Sequence, residues 1–471
     1  MPYTTSMNRS AWLIGAGFSY ELGMPLVWEL TDEIKRWLTP EHLRELAAGW
    51  QARGRGMPIE IIDAFAERLT RQDEHYEQLI GWLQAEQYRC RSNAAQSAHY
   101  HALVGMLQDV VGRILLERHT RNPEYHRHSL PWYRGLAHAV PAADPLWVFS
   151  LNHDLHVEML AIELGIPLSC GFAELNAVGF TGDDGRRVFF DRITRDRLAK
   201  HQLDYPTAQR AINLVKLHGS LDVFAYNDLL DYLRVHPEHD TVDGWIRAMQ
   251  AVEQHLPAKN NGQPIPVQGE ICVYDDAHEL QFLRRTPVAG AFKFEGRASY
   301  NAPGELVEFF ANKLNEFEEL VVIGYSWGDR HLNGPIEKWL AADPDRRIVN
   351  VDPKGLPAHA DHIRSRVDVR AVGAAEYLAS FDSSPIDPAA KQLRDLRLQV
   401  RRLNGSKTRF QETMGKVMKQ RVAEVVAWIA RQNLSGNEDP AALVDRLATE
   451  VGFDQQVVLA QLITELRTLA K

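Results

Sequence analysis

The apolar segment Ala11-Trp12-Leu13-Ile14 runs directly into Gly15-Ala16-Gly17-Phe18-Ser19, and this junction constrains the fold more than any other stretch. A short uncharged apolar run reads as a strand covered on both faces, and glycines after it let the backbone turn sharply. The same arrangement recurs along the chain. Leu146-Trp147-Val148-Phe149-Ser150 precedes Asn152-His153-Asp154, and Leu214-Val215-Lys216-Leu217 precedes His218-Gly219-Ser220. Leu320-Val321-Val322-Ile323 precedes Gly324-Tyr325-Ser326, and Arg347-Ile348-Val349 leads into Asn350-Val351-Asp352. Val367–Val372 is a candidate last strand. Helical patterns lie between them, over about Trp28–Leu38, Leu155–Leu164 and Glu305–Phe317. Apolar strands alternating with helices predict an α/β fold around a parallel sheet covered on both faces. Ligands of such sheets sit at the carboxyl ends of the strands, where each of these polar motifs falls.

Two insertions interrupt the rhythm. Residues from about 39 to 120 read as helical, with apolar residues at three- and four-residue spacing in Ile59–Leu69 and Leu103–Leu116. Pro123 and the turn Ser129–Pro131 are expected to end that insert. Residues from about 221 to 302 read as an irregular insertion rich in Pro, Gly and Asn. Residues 1–382 are therefore expected to form one domain. Pro385-Ile386-Asp387-Pro388 then opens an all-helical C-terminal region over 383–471. Its stripe of Phe410, Met414, Val417, Met418, Val422, Val425 and Ile429, and a second one over Val458–Leu469, need a covering surface: they pack on each other and on the preceding domain, or they join protomers or dock a partner.

Composition narrows the function. With 53 Lys and Arg against 62 Asp and Glu, the net charge of −9 argues against a general nucleic-acid binder. Three scattered cysteines, Cys90, Cys170 and Cys272, build neither a disulfide framework nor a four-cysteine zinc site, and no metal is expected. His236, His239 and Asp240 read as a solvated loop. The polar N-terminus and the lack of a long apolar run lead us to expect a cytoplasmic protein with no membrane span.

Each motif carries chemistry and also a plain structural reading. Gly15, Ala16 and Gly17 let backbone N–H groups approach a pyrophosphate, with Ser19 offering a hydroxyl, or they form a simple turn. Asn152 and Asp154 face one crevice, or cap the helix that follows. His218 is a candidate proton acceptor near neutrality, or a histidine bonded to a carbonyl. Gly324, Ser326 and Asn350 place small or hydrogen-bonding groups where phosphates and a ribose would lie, or are turn residues.

Taken in order, Gly-Ala-Gly-x-Ser, Asn-x-Asp, His-Gly, Gly-x-Ser and Asn-x-Asp resemble the sirtuin family over about Ala11 to Val372. That resemblance implies a Rossmann-like domain with NAD⁺ as substrate. Gly15, Ala16, Gly17 and Ser19 would hold the pyrophosphate and ribose, and Asp154 the nicotinamide carboxamide. Asn152 would orient the nicotinamide ribose or the attacking water, with His218 as base. Gly324 and Ser326 would support the phosphates, and Asn350 the adenosine ribose. The departures have consequences. Only Cys272 stands where deacylating sirtuins carry a four-cysteine zinc module; Pro25-Leu26-Val27-Trp28 lacks the usual arginine; and Leu151 replaces a glutamine. The chain thus looks like the sirtuin-like NADases of bacterial anti-phage defence, which deplete NAD⁺ when triggered. A non-catalytic NAD⁺ or ADP-ribose sensor is the competing class, and a protein deacylase a third. The resemblance also implies a homo-oligomer, with a HerA-type motor ATPase or an Argonaute-like protein as candidate partner.

Overall fold

The structure, a computed structural model, describes residues 9–398 apart from 122, 266, 268–269, 288–302, 389, 392–393 and 396–397. In chain order its strands are β1 (Ser10–Ile14), β2 (Leu146–Ser150), β3 (Leu168–Ser169), β4 (Ala173–Thr181) and β5 (Arg187–Thr194). There follow β6 (Ile212–Lys216), β7 (Val223–Tyr226), β8 (Asp231–His236), β9 (Lys259–Asn260) and β10 (Gln263–Pro264). The last are β11 (Glu270–Tyr274), β12 (Leu280–Arg285), β13 (Glu319–Ile323), β14 (Arg347–Val351) and β15 (Val367–Arg370).

Seven of these form an all-parallel sheet in the order β15-β14-β13-β1-β2-β6-β3. The apolar runs supply both faces because successive side chains point to opposite sides of a strand. Leu13, Phe149, Val215, Leu320 and Val322 join a core on one face. Trp12, Ile14, Val148, Leu214, Val321 and Ile323 join a separate core on the other. The chain runs from β1 outward to β2 and β6, then returns to β13 on the opposite side of β1. That reversal between β1 and β13 is a topological switch point, the place where ligands bind in open α/β sheets.

The helical insert is as expected in kind, with helices Pro40–Ala52, Ile59–Thr70, Tyr76–Arg89 and Ala94–Arg121. Its end differs from expectation. Pro123 and Pro131 do not stop it, because Pro123–Tyr133 is itself a helix with Pro131 inside. Proline fits the first position of a helix without losing a bond. The turn at Pro131 is held by tertiary contact, since Tyr133 is fully buried and its hydroxyl donates to the Phe18 carbonyl at 2.7 Å.

The irregular insertion expected over about 221 to 302 holds regular structure among its described residues, including the helix Val242–Gln254. It supplies β7, β8, β11 and β12 of a six-stranded antiparallel sheet, order β11-β12-β7-β8-β5-β4. Charged residues in these strands obscure the apolar signal, and the fold pairs them across strands. Arg192 meets Asp231 at 2.8 Å, Arg234 meets Asp222 at 2.9 Å, and Arg284 meets Glu270 at 2.6 Å. This sheet and the helical insert share one core, in which Phe65, Leu79 and Leu107 join Phe180, Phe190, Phe224 and Leu233.

The C-terminal stripes over 410–429 and 458–469 lie outside the described residues. At the near end of that region, the Arg394 guanidinium pairs with Glu21 and lies 4.2 Å from the centroid of the Trp132 ring. Among the described residues no helix is long and apolar enough to cross a membrane.

The two halves of the parallel sheet meet backbone to backbone. A Cβ on Gly324, whose φ is +64°, would fall 2.5 Å from Gly17 backbone atoms, and a Cβ on Gly15 would fall 2.6 Å from the Gly324 carbonyl oxygen. Gly324→Ala is therefore expected to lower the unfolding free energy, read from the urea midpoint, by more than the roughly 1 kcal/mol of an ordinary substitution. Gly334→Ala, at a helical glycine where a Cβ meets nothing within 4 Å, is the control and should leave the midpoint unchanged or higher.

Candidate active site

Register brings the motifs to one rim. Ile14 pairs with Ser150 on one side and Ile323 on the other, Ser150 pairs with Lys216, and Ile323 pairs with Val351. The segments beginning at Gly15, Leu151, Leu217, Gly324 and Asp352 thus leave the same edge of the sheet, on both sides of the switch point.

At the centre of that edge the glycine turns interlock. Gly15 N–H donates to the Ile323 carbonyl at 2.9 Å, and Gly17 N–H to the Gly324 carbonyl at 3.0 Å. Those donors are spent within the protein, so what Gly15 and Gly17 contribute at this rim is close approach of two backbones. Ala16 is exposed, whereas Ser19 is wholly buried.

Asn152 ties the second motif to the first. Its Nδ2 donates to the Gly15 carbonyl at 2.9 Å and to Ser19 Oγ at 3.0 Å. Both amide hydrogens are thereby used, which fixes the side chain and leaves Oδ1 as its acceptor. The Asn152 backbone N–H donates to Ser150 Oγ at 3.1 Å. The neighbouring loop is cross-tied as well. Leu221 N–H donates to the His153 carbonyl at 2.9 Å, and His153 Nδ1 lies 3.4 Å from the Gly219 carbonyl.

Lys216, the last residue of β6, holds this corner from beneath. Its ammonium is buried and donates to the carbonyls of Asp154 and, at 3.4 Å, of Asn152. It also lies 3.4 Å from a carboxylate oxygen of Glu158, which is 2% exposed. Burial works against the ammonium charge, but the Glu158, Asp154 and Asp222 carboxylates outweigh it and hold the Lys216 pKa above its ordinary value.

His218 is 2% exposed, and its Nε2 lies 3.0 Å from Nε2 of His331. A carboxylate oxygen of Asp329 and one ring nitrogen from each of these histidines lie within 4.8 Å of one another. His331 has no counterpart among the sequence-level candidates. The signal that points to it is the run Gly324-Tyr325-Ser326-Trp327-Gly328-Asp329-Arg330-His331, which carries a second titratable group two residues past the aspartate.

Asp154 stands in different company from Asn152. Its Oδ1 accepts from His156 N–H at 3.1 Å, a local bond that shapes the start of the helix His156–Glu163. Its carboxylate also lies within 4.8 Å of ring nitrogens of His119 and His156. His126 Nδ1 is 3.2 Å from His156 Nδ1, and His119 Nε2 accepts from Leu155 N–H at 3.0 Å. These imidazoles come from three helices, so no local spacing announces them. Each has one ring nitrogen engaged with protein, while His119 Nδ1, His126 Nε2 and His156 Nε2 are buried with no hydrogen-bond partner among the described residues.

On the far side of the switch point, Ser326 is exposed and Asn350 is 1% exposed. Asn350 Oδ1 accepts from the Trp327 indole N–H at 2.9 Å, and its Nδ2 finds no partner among the described residues. Trp327 has φ +61°, a conformation costly for a bulky residue, and is held there because its carbonyl accepts from Asn333 Nδ2 at 2.8 Å. Among the sequence-level candidates, then, the structure joins Gly15, Gly17, Ser19, Asn152 and Gly324 directly. His218 stands one loop beyond Asn152, Ala16 and Ser326 are exposed on the rim, Asp154 is turned to a buried histidine cluster, and Asn350 is bonded to Trp327. No protein-family model and no curated protein matches the chain.

Two stability effects follow from these buried charges. Lys216→Met removes the compensation of a buried carboxylate and is expected to cost about 3–5 kcal/mol, read from urea unfolding at pH 7. Burial also pulls the His119 pKa down to about 4 and that of His126 down to about 3, with His156 well below its ordinary value for the same reason. An unfolded chain takes up protons near pH 6.5, whereas these folded imidazoles stay neutral. Their contribution is whole above pH 6.5 and is lost as pH falls from there toward 4. The urea midpoint should decline over that window, and the decline should be shallower in His126→Phe. Equal slopes in the two proteins would show that this cluster does not govern the acid limb.

Proposed function

We propose that this chain is an NAD⁺ glycohydrolase, cleaving the nicotinamide–ribose bond to give nicotinamide and ADP-ribose. The observation that carries the reading is the Asn152 amide, locked to Gly15 and Ser19 beside the switch point of a parallel sheet, with a buried histidine on the next loop. Dinucleotides bind at such switch points in open α/β sheets, and the order of motifs along the rim follows the sirtuin resemblance.

The chemistry asks little more of the protein. As nicotinamide departs, positive charge develops on the ribose, and one water must be placed against it while bulk water is excluded. Asn152 Oδ1 can accept a hydrogen from that water and fix its orientation, and His218 can accept the proton it loses. By the same resemblance, Gly324 and Ser326 would support the diphosphate. The role as an NAD⁺-depleting effector of anti-phage defence, acting as an oligomer with a motor ATPase or an Argonaute-like partner, rests on the resemblance.

Release of nicotinamide from NAD⁺ by the purified protein tests the reading. Wild type should turn over, and Asn152→Ala and His218→Ala should each lose about 100-fold or more in kcat while keeping the wild-type circular dichroism. Binding of NAD⁺ without any release would point to a sensor. Wild-type turnover by both folded variants would remove Asn152 and His218 from the chemistry.

A further inference from the structure

We propose that Thr286 is the positioning residue through which the antiparallel sheet holds the turn that carries His218. The inference rests on the NAD⁺-cleaving reading and says what keeps its base in place. Thr286 directly follows β12 and is wholly buried. Its hydroxyl accepts from Ser220 N–H at 3.2 Å. Its own hydrogen can go to the Val223 carbonyl at 2.8 Å or to the Ser220 carbonyl at 3.2 Å. One hydroxyl, with one hydrogen and two lone pairs, thus bridges both ends of the segment between the His218 turn and β7.

Strand pairing puts Thr286 there. β12 runs antiparallel to β7, with Arg284 opposite Ala225 and Arg285 opposite Phe224, so Thr286 comes beside Val223 at the start of β7. The two backbones then meet at the turn itself. Gly219 has φ +78°, and a Cβ on it would fall 2.2 Å from the Thr286 carbonyl oxygen. The tie within the segment is long, with Val223 N–H donating to the Ser220 carbonyl at 3.3 Å. Ser220 is wholly buried, so its N–H and carbonyl depend on partners inside the protein.

His218 is 2% exposed and directly precedes Gly219. The Lys216 ammonium and the bond from Leu221 N–H to His153 fix the turn to the Asn152 loop. Thr286 fixes it to the antiparallel sheet. Proton transfer from the attacking water requires His218 within hydrogen-bond reach, and a misplacement of about 1 Å lowers the rate by on the order of 100-fold. Thr286 acts only through the turn. Loss of its hydroxyl therefore lowers kcat and leaves binding of NAD⁺ at the glycine rim in place.

Two substitutions separate the hydroxyl from the methyl group. Thr286→Val keeps the shape and removes the hydroxyl, whereas Thr286→Ser keeps the hydroxyl and removes the methyl. We expect Thr286→Val to lose about 10-fold or more in kcat with KM for NAD⁺ little changed, and Thr286→Ser to keep most of kcat. Packing alone predicts the reverse order, because Thr286→Ser leaves a cavity and Thr286→Val does not. Hydrogen–deuterium exchange over residues 217–223, read by mass spectrometry, should quicken in Thr286→Val and stay near wild type in Thr286→Ser. Wild-type kcat in folded Thr286→Val, a kcat in Thr286→Ser as low as in Thr286→Val, or equal exchange in all three proteins would overturn the assignment. Should Thr286→Val fail to fold, Thr286→Ser decides, with retained kcat expected and a loss of about 10-fold overturning the role of the hydroxyl. A wild type that releases no nicotinamide overturns the functional reading and the catalytic part of this proposal, while the exchange comparison decides separately whether Thr286 holds the turn.

Discussion

The buried ammonium of Lys216 is the contact on which the candidate site depends. It sits at the end of β6, one residue before the turn that carries His218, and binds the carbonyls flanking His153 on the neighbouring loop. A charge in a low-dielectric interior is costly unless a countercharge stands close to it. Glu158 supplies the countercharge from the helix that follows Asn152 and Asp154. The ion pair therefore fixes two loops relative to each other, and with them Asn152 and His218. Moving either loop would strand a buried charge.

The other half of the rim is set by steric closeness. Gly15, Gly17 and Gly324 allow the turns after β1 and β13 to touch through backbone atoms, and Asn152 reaches across to the Gly15 carbonyl from the loop after β2. Polar anchoring on one side of β1 and glycine contact on the other are different solutions to one problem, which is to hold loops still at the open end of a sheet. The helical insert and the antiparallel sheet add mass around this end. Their common core joins the parallel-sheet domain through Leu155 and Met159, which belong to the Asn152 loop and its helix.

Several features at the site escaped local reading for one physical reason, namely that they are pairings between distant segments. His331 meets His218 across 113 positions, and His119, His126 and His156 converge from three helices. Nothing in a local window distinguishes such histidines from solvated ones. The antiparallel sheet was hidden in a related way. Arg192, Arg234 and Arg284 break the apolar pattern of their strands, and the fold pairs them with Asp231, Asp222 and Glu270. A local signal for one hairpin was present in Gly182-Asp183-Asp184-Gly185, a turn sequence between the apolar segments of β4 and β5.

What the sequence by itself determined is the parallel sheet and the contents of its rim. Uncharged apolar runs such as Leu320–Ile323 have no stable place except a sheet buried on both faces, and the residue after each run must then emerge at a strand end. Tertiary structure alone decided how those rim residues are used. It spent the N–H groups of Gly15 and Gly17 on a neighbouring strand, turned Asp154 toward buried histidines, engaged Asn350 with Trp327 and set His331 against His218. Strand periodicity constrains where a side chain leaves the backbone, whereas the partner it finds depends on which distant segments the sheet order brings beside it.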